Sequence, residues 1–227
     1  MKPRWIIPAL ACGLAVAFQA PALGQQTGSI LLPPAGAVRA PDGNSSGEAR
    51  RLVRSFAACF ARAQATVSQA LVRAPFGGDE QIRGTTRALE SEQRCLDDPT
   101  IRVSLDGRRF VGYLSEYFLT GQLAQDDLTG LVNLPNEQLQ PLNLMPRNPT
   151  EDFALCVVRR DPQGVRTFVS TNPATDEERG AARALMTHLQ GCLPAGSTIS
   201  LTTGELRGYL APSLYRALMA MREHKAR

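Results

Sequence analysis

Apolar positions recur every three or four residues along most of the chain, and the pattern runs twice. Leu52, Val53, Phe56, Phe60, Ala63, Val67, Ala70 and Leu71 trace one face of a long helix that ends before Pro75. Asp79 to Leu96 reads as a second helix with Ile82, Ala88 and Leu89 inward. Phe110, Tyr113, Leu114, Tyr117 and Phe118 supply the apolar face of a third. Ser45-x-x-Glu48 fits a capping box ahead of the first helix, and Asp106 fits an N-cap for the third. Beyond residue 150 the same order returns, with one difference: Asp161-Pro162 interrupts the first helix as an N-cap and N1 pair. Thr175-x-x-Glu178 caps the helix holding Leu185, Met186 and Leu189. Glu205 to Arg222 is the final helix, and Pro212 marks a kink or a fresh start within it. Ile101–Leu105 and Thr198–Leu201 lean towards β and read as short extended connections. The fold class expected is all-α.

The two passes are in register. Cys59 and Cys95 are 36 residues apart, and so are Cys156 and Cys192. At an offset of 97, Phe56, Ala57, Cys59 and Arg62 fall on Phe153, Ala154, Cys156 and Arg159. Asp79-Glu80 falls on Asp176-Glu177, and Gln93, Cys95 and Leu96 on Gln190, Cys192 and Leu193. At 96, Gly112-Tyr113-Leu114 meets Gly208-Tyr209-Leu210. Ordered matches of this kind predict an internal repeat of about 70 residues. Two tandem helical repeats follow, residues 48–124 and 151–227, each closed by one disulfide. Pairing inside each repeat explains the equal spacing most simply; cross-pairing between repeats is the rival. Closing a loop of this length contributes about 4 kcal/mol through the unfolded state.

The remaining segments read differently. Lys2 and Arg4, the thirteen-residue apolar run Ile6–Phe18 and Ala22-Leu23-Gly24 form a signal peptide over 1–24, cleaved before Gln25. The run is too short for a membrane anchor, which needs about 20 residues. Residues 25–47 hold Gly, Pro, Ser, Asn and Thr without periodicity and read as a disordered tether. Residues 125–150 read as a linker that packs in part, because Leu128, Leu131, Val132 and Leu134 are too apolar for a free tether. An export signal and an even set of mature cysteines place the chain in the periplasm or outside the cell.

Charge narrows the partners. The chain carries 25 basic and 21 acidic residues, for +4, and losing Lys2 and Arg4 leaves +2. A near-neutral mature chain points to a protein or small-molecule partner rather than to nucleic acid. Arg216, Arg222, Lys225 and Arg227 follow an apolar face of Leu214, Leu218, Met219 and Met221, so peripheral membrane contact through the last helix is the other option.

Candidate chemistry is sparse. G-x-S-x-G, H-E-x-x-H, Walker A and G-x-G-x-x-G are absent from the sequence. Cysteine spacing does not fit zinc, and no metal or other cofactor is expected. His188 lies beside an apolar stripe and His224 in the tail, neither with an orienting partner in view. Glu177-Glu178 opens a helix and reads as a dipole partner. Arg62 and Arg159 each follow the first cysteine of a repeat by three. They either pair with acidic residues of their own repeat or face a shared groove that holds an anion. Tyr113 and Tyr209 are the matching core or groove residues.

The second repeat resembles a group of uncharacterised exported bacterial proteins. The residues that carry this are Phe153-x-x-Cys156-Val157-Val158-Arg159-Arg160, Gly191-Cys192-Leu193-Pro194-x-Gly196 and Leu206-Arg207-Gly208-x-Leu210-Ala211-x-x-Leu214-Tyr215-Arg216. The resemblance implies compartment and repeat architecture and assigns no activity. The function expected is a non-catalytic binding or interaction protein of the bacterial envelope. The alternatives are a secreted hydrolase with a scattered carboxylate site and an inhibitor of an envelope enzyme.

Overall fold

A computed structural model describes residues 47–91, 93–96, 107–195, 197 and 199–226. The signal segment, all but Gly47 of the tether, the caps Ser45 and Asp106 and the connection Ile101–Leu105 lie outside the described residues. What is described is helical, with no strand. The first half contains α1 (Gly47–Ala63), α2 (Ala65–Arg73), α3 (Asp79–Ser91), a 3-10 turn at Gln93–Cys95 and α4 (Gly107–Thr120). The second contains α5 (Pro149–Arg160), α6 (Pro162–Ser170), α7 (Asp176–Ala184), α8 (Met186–Gly191) and α9 (Thr203–Lys225). Cys59–Cys95 and Cys156–Cys192 are both disulfides, with Cα atoms 5.6 and 5.8 Å apart, so each bond stays within its own half.

Helices α5, α6, α7 and α9 each begin where a side chain takes a free N–H group. Asn148 accepts from Glu151 N ahead of Pro149, and Asp161 accepts from Gly164 N at 2.7 Å ahead of Pro162. Thr202 and Glu205 form a reciprocal capping box at the start of α9. Pro212 neither kinks α9 into two nor restarts it; the helix runs unbroken from Thr203 to Lys225.

The first helix of the first half is not continuous to Pro75: it breaks at Gln64, 97 residues before the break at Asp161. The backbone takes similar angles at both, φ −132°, ψ 54° and φ −148°, ψ 72°. No proline marks Gln64, so the bend is set by packing rather than by local chemistry. The apolar period carries across it undisturbed and conceals it.

Helices α4 and α9 form the central pair. Helices α1, α2 and α3 pack on α4, and α5, α6 and α7 on α9. The pair crosses where Gly112 faces Gly208: a Cβ on Gly112 would lie 2.8 Å from the Gly208 Cα. These two glycines are counterparts at the 96-residue offset. Around them Phe56, Phe60, Phe110 and Phe118 meet Tyr215, Phe168, Val157 and Leu214 in a single buried core. Leu128, Leu131, Leu134, Leu139, Leu142 and Leu144 of the 125–150 segment join that core, while Val132 is exposed. Leu214 and Leu218 of α9 are buried and Met219 and Met221 pack against the core, so the apolar face of the last helix is turned inward. Among the described residues no helix is long and apolar enough to cross a membrane.

Candidate functional site

Polar side chains gather in two places where the halves meet. The first is built on Arg207, from the first turns of α9, which is 1% exposed. It sits at i relative to Leu210, Ala211 and Leu214, on the apolar stripe of its helix, so burial is forced on it. Every nitrogen is engaged. Nε donates to Glu178 at 3.2 Å, Nη1 to Glu116 and to the Val169 carbonyl at 2.7 Å each, and Nη2 to the Phe168 and Thr171 carbonyls. Those carbonyls are the open end of α6, so the guanidinium also caps a helix C-terminus. It lies 5.2 Å from the Phe168 ring centroid and 6.0 Å from that of Tyr113.

Glu178 and Glu116 carry the opposing charge. Glu178 is the third residue of α7, with its own N–H held by Thr175. Its carboxylate does not return to the Thr175 N–H as a capping box would. It accepts from Ala174 N, from Arg50 on α1 and from Thr203. Burial pushes its acidity down, but Arg50, the Ala174 N–H and Arg207 outweigh this, and its pKa lies below the usual carboxylate value. Glu116 on α4 is 2.5 Å from Arg54 and 2.7 Å from Arg207. There burial wins, and its pKa is raised. Two buried carboxylates facing each other are what a hydrolase of the scattered type requires. Here the Arg207 guanidinium fills the space between them.

The second place centres on Glu151 at the start of α5, which is 4% exposed. It accepts from the Arg147 guanidinium, from Arg147 N and from Phe76 N, and Arg216 of α9 lies 3.0 Å away. Burial acts against its charge, yet these donors hold its pKa at about 2. Arg147 also donates to the Arg73 and Ala74 carbonyls, closing the open end of α2. Gln81 donates to the Leu71 carbonyl and accepts from Gly77 N. A small cleft of about 10 Å³, room for one water, lies against these groups and against Tyr209 and Ser213.

Three pairs of positions in the two places correspond at the offset of 97: Gly77 and Ala174, Gln81 and Glu178, Arg50 and Arg147. Gln81 accepts from Gly77 N as Glu178 accepts from Ala174 N, each at 2.9 Å. Gly77 has φ +68° and Ala174 φ +62°. Arg50 reaches from α1 into the second half, and Arg147 reaches from just before α5 into the first. The charges themselves differ: Arg207 stands against Val111, Glu116 against Pro212, Arg216 against Thr120 and Glu151 against Arg54.

The residues proposed from sequence spread over different environments. Arg62 is exposed at the end of α1. Arg159 is half-buried and donates to Asn136 at 2.7 Å; burial lowers its pKa, with Asp152 and Glu137 acting against that. Neither lines the cleft, and the acidic starts of α3 and α7 engage Arg83 and Arg179 instead. Tyr113 is buried against Arg50 and Arg207, burial raising its pKa and the two cations drawing it back. Tyr209 lines the cleft, its ring edge-on to Phe76 at 5.2 Å. His188 is 3.7 Å from Asp161 at the protein surface. Among the described residues no three His, Cys, Asp or Glu gather as metal ligands. Arg50, Arg207, Glu116 and Glu151 were not proposed as site residues from the sequence, which reads Glu178 only as a cap and dipole partner. A charged residue on an apolar helical stripe was the available signal for Arg207. No family model, curated protein or solved structure matches this chain.

Proposed function

We propose that this chain is an exported, non-catalytic binding protein of the bacterial envelope, built from two duplicated helical units and working in the periplasm or outside the cell. One observation carries the reading. The deeply buried charges of Arg207, Glu116 and Glu178 are spent on holding the halves together, with the guanidinium filling the space between the two carboxylates. Two disulfides and an N-terminus with the pattern of an export signal support an oxidising destination. The equal placement of the disulfides, of the Gln64 and Asp161 breaks and of the Gly112–Gly208 crossing supports duplication. The resemblance to exported bacterial proteins without an assigned activity points to the same compartment.

The test uses the oxidised mature chain as bait in periplasmic extract, with a parallel turnover screen on ester, peptide, glycoside and phosphate substrates. A stoichiometric complex without turnover is the expected result. Turnover by the pure protein, abolished by Glu116→Gln or Glu178→Gln in a variant that still folds, would establish the hydrolase reading and remove this one.

A further inference from the structure

Helix α6 turns Val165, Phe168 and Val169 into the core and leaves Gln163, Arg166, Thr167 and Ser170 on its other side, spaced i, i+3, i+4 and i+7. With Thr171 and Asn172 beyond its end and Glu177 in the first turn of α7, this face lines a hollow of about 520 Å³, open on one side. That volume falls in the range of about 300–1,000 Å³ usual for small-molecule sites. The first half does not repeat the set: Gln69 stands at the position of Arg166, Ala70 at that of Thr167 and Pro75 at that of Asn172.

Arg166 is the under-satisfied member. It is half-buried, and its Nε is enclosed by protein without an acceptor among the described residues. Its two Nη atoms make long bonds, 3.3 and 3.5 Å, to the Ala124 and Leu123 carbonyls. A guanidinium has five N–H donors, so most of its capacity is unused. Asp126 and Asp127 are near enough to act on its charge, but Asp126 is bound to Arg222 and Asp127 to Thr129. Glu177 is drawn to its own N–H and to Thr175. The Gln163, Thr167 and Ser170 side chains make no hydrogen bond within the described residues, and the Asn172 side chain uses only its Oδ1, on Arg54.

We propose that this hollow binds a singly charged sugar acid, with its carboxylate on the Arg166 guanidinium and its hydroxyls on Gln163, Thr167, Ser170 and Asn172. A carboxylate supplies the acceptors and the charge that Arg166 lacks, in the two-point geometry a planar guanidinium favours. The two nearby aspartates weaken the positive field, which selects one negative charge over the two or more of a phosphate ester. Every side chain lining the hollow is polar, so the body of the ligand is hydroxylated rather than apolar. The amides and hydroxyls there both donate and accept, as sugar hydroxyls do. The proposal rests on the reading of the chain as a binding protein and names a ligand class for it.

Glucuronate is the probe, titrated at constant ionic strength into the oxidised mature chain and followed by calorimetry and by the amide signals of Thr167, Ser170 and Asn172. Saturable binding is expected, at least about tenfold tighter than that of glucose, which carries a hydroxymethyl group in place of the carboxylate. Arg166→Gln should weaken glucuronate by at least about tenfold and bring it level with glucose. Ser170→Ala, on the exposed side of α6, should weaken it about threefold at unchanged melting temperature. No saturation by about 20 mM, glucose bound as tightly as glucuronate, inorganic phosphate bound more tightly, or full affinity in either variant each overturns the proposal. Its failure alongside a stoichiometric envelope complex would leave the binding-protein reading intact. Turnover would remove that reading without altering the glucuronate result.

Discussion

Arg207→Met is the most informative single change. Methionine keeps most of the volume on the apolar stripe of α9, so the loss is electrostatic rather than a cavity. Glu116 and Glu178 lose the cation they share, at 2.7 and 3.0 Å, and three carbonyls at the end of α6 lose a donor. Breaking a buried ion pair from one side costs about 3–5 kcal/mol, because the other charge is left behind. Arg50 and Arg54 remain beside the two carboxylates, which holds the value to the lower end. A protein of this size shifts by about 2–4 °C per kcal/mol, so the melting temperature should fall by roughly 6–12 °C. Glu178→Gln alone should cost about 2 kcal/mol, the difference between a charged and a neutral acceptor for Arg50 and Arg207. The double variant brings the site close to its counterpart, where Gln81 already holds the equivalent N–H. It should therefore cost less than the two singles together, with a coupling of at least about 1 kcal/mol. The assay is thermal and urea unfolding of the oxidised protein by circular dichroism, with the surface change Arg179→Met as a control expected within about 0.5 kcal/mol. A fall below about 3 °C for Arg207→Met, or additivity within about 0.5 kcal/mol, would refute the claim that this cluster joins the halves energetically.

Four further outcomes follow from the geometry. Glu151 has a folded pKa of about 2 against the ordinary 4.5, so its contribution is present above pH 4.5 and is lost as the pH falls towards 2. The shift corresponds to about 3 kcal/mol, reduced to about 2 because Arg147 is a third exposed; Glu151→Gln should flatten the acid-unfolding curve over that window. Gly77→Ala should cost about 1 kcal/mol, since φ is +68° and the new Cβ has room, while Ala174→Gly should stabilise by several tenths in the same melting assay. Gly112→Ala forces a Cβ to 2.8 Å from the Gly208 Cα and should cost at least about 1–3 kcal/mol, whereas Gly180→Ala, with nothing within 4 Å, should be neutral or stabilising by up to about 1 kcal/mol. Replacing Cys59 and Cys95 together by Ser should lower stability by about 4 kcal/mol, and the Cys156–Cys192 pair by a similar amount, because both loops have a separation of 36 residues.

The helices and their order were legible because burial of one face imposes a period that survives any detail of packing. The disulfide partners were legible because equal spacing favours pairing inside each half. The break at Gln64 was not: its neighbours keep the apolar period, and nothing local marks the bend. The ion cluster was hidden for a different reason. Glu116, Glu178 and Arg207 come from three helices, with 91 residues between Glu116 and Arg207, and sequence spacing carries no information about which charges converge. Arg62 and Arg159 match at the 97-residue offset, but one is exposed and the other half-buried against Asn136, and matching positions record common ancestry or chance as readily as a role. The residues that differ between the halves, Val111 against Arg207 and Gln81 against Glu178, say more about the site than those that agree.

That asymmetry has an energetic consequence under the proposed duplication. Two copies of one unit meeting around Gly112 and Gly208 form a self-complementary interface, and such an interface invites exchange between chains. The charges across it are arranged one way only. Glu116 and Arg50 come from the first half, and Arg207 and Glu178 from the second. A first half meeting another first half would set Glu116 opposite Val111, with Arg54 its remaining cation, and Arg50 opposite the uncharged Gln81. A second half meeting another second half would set Arg207 opposite Pro212, with one carboxylate where it now has two. Each mismatch takes one partner from a buried ion, at a cost of about 1–3 kcal/mol. The buried cluster thus adds little to stability compared with a well-packed apolar core. What it contributes is the choice of partner.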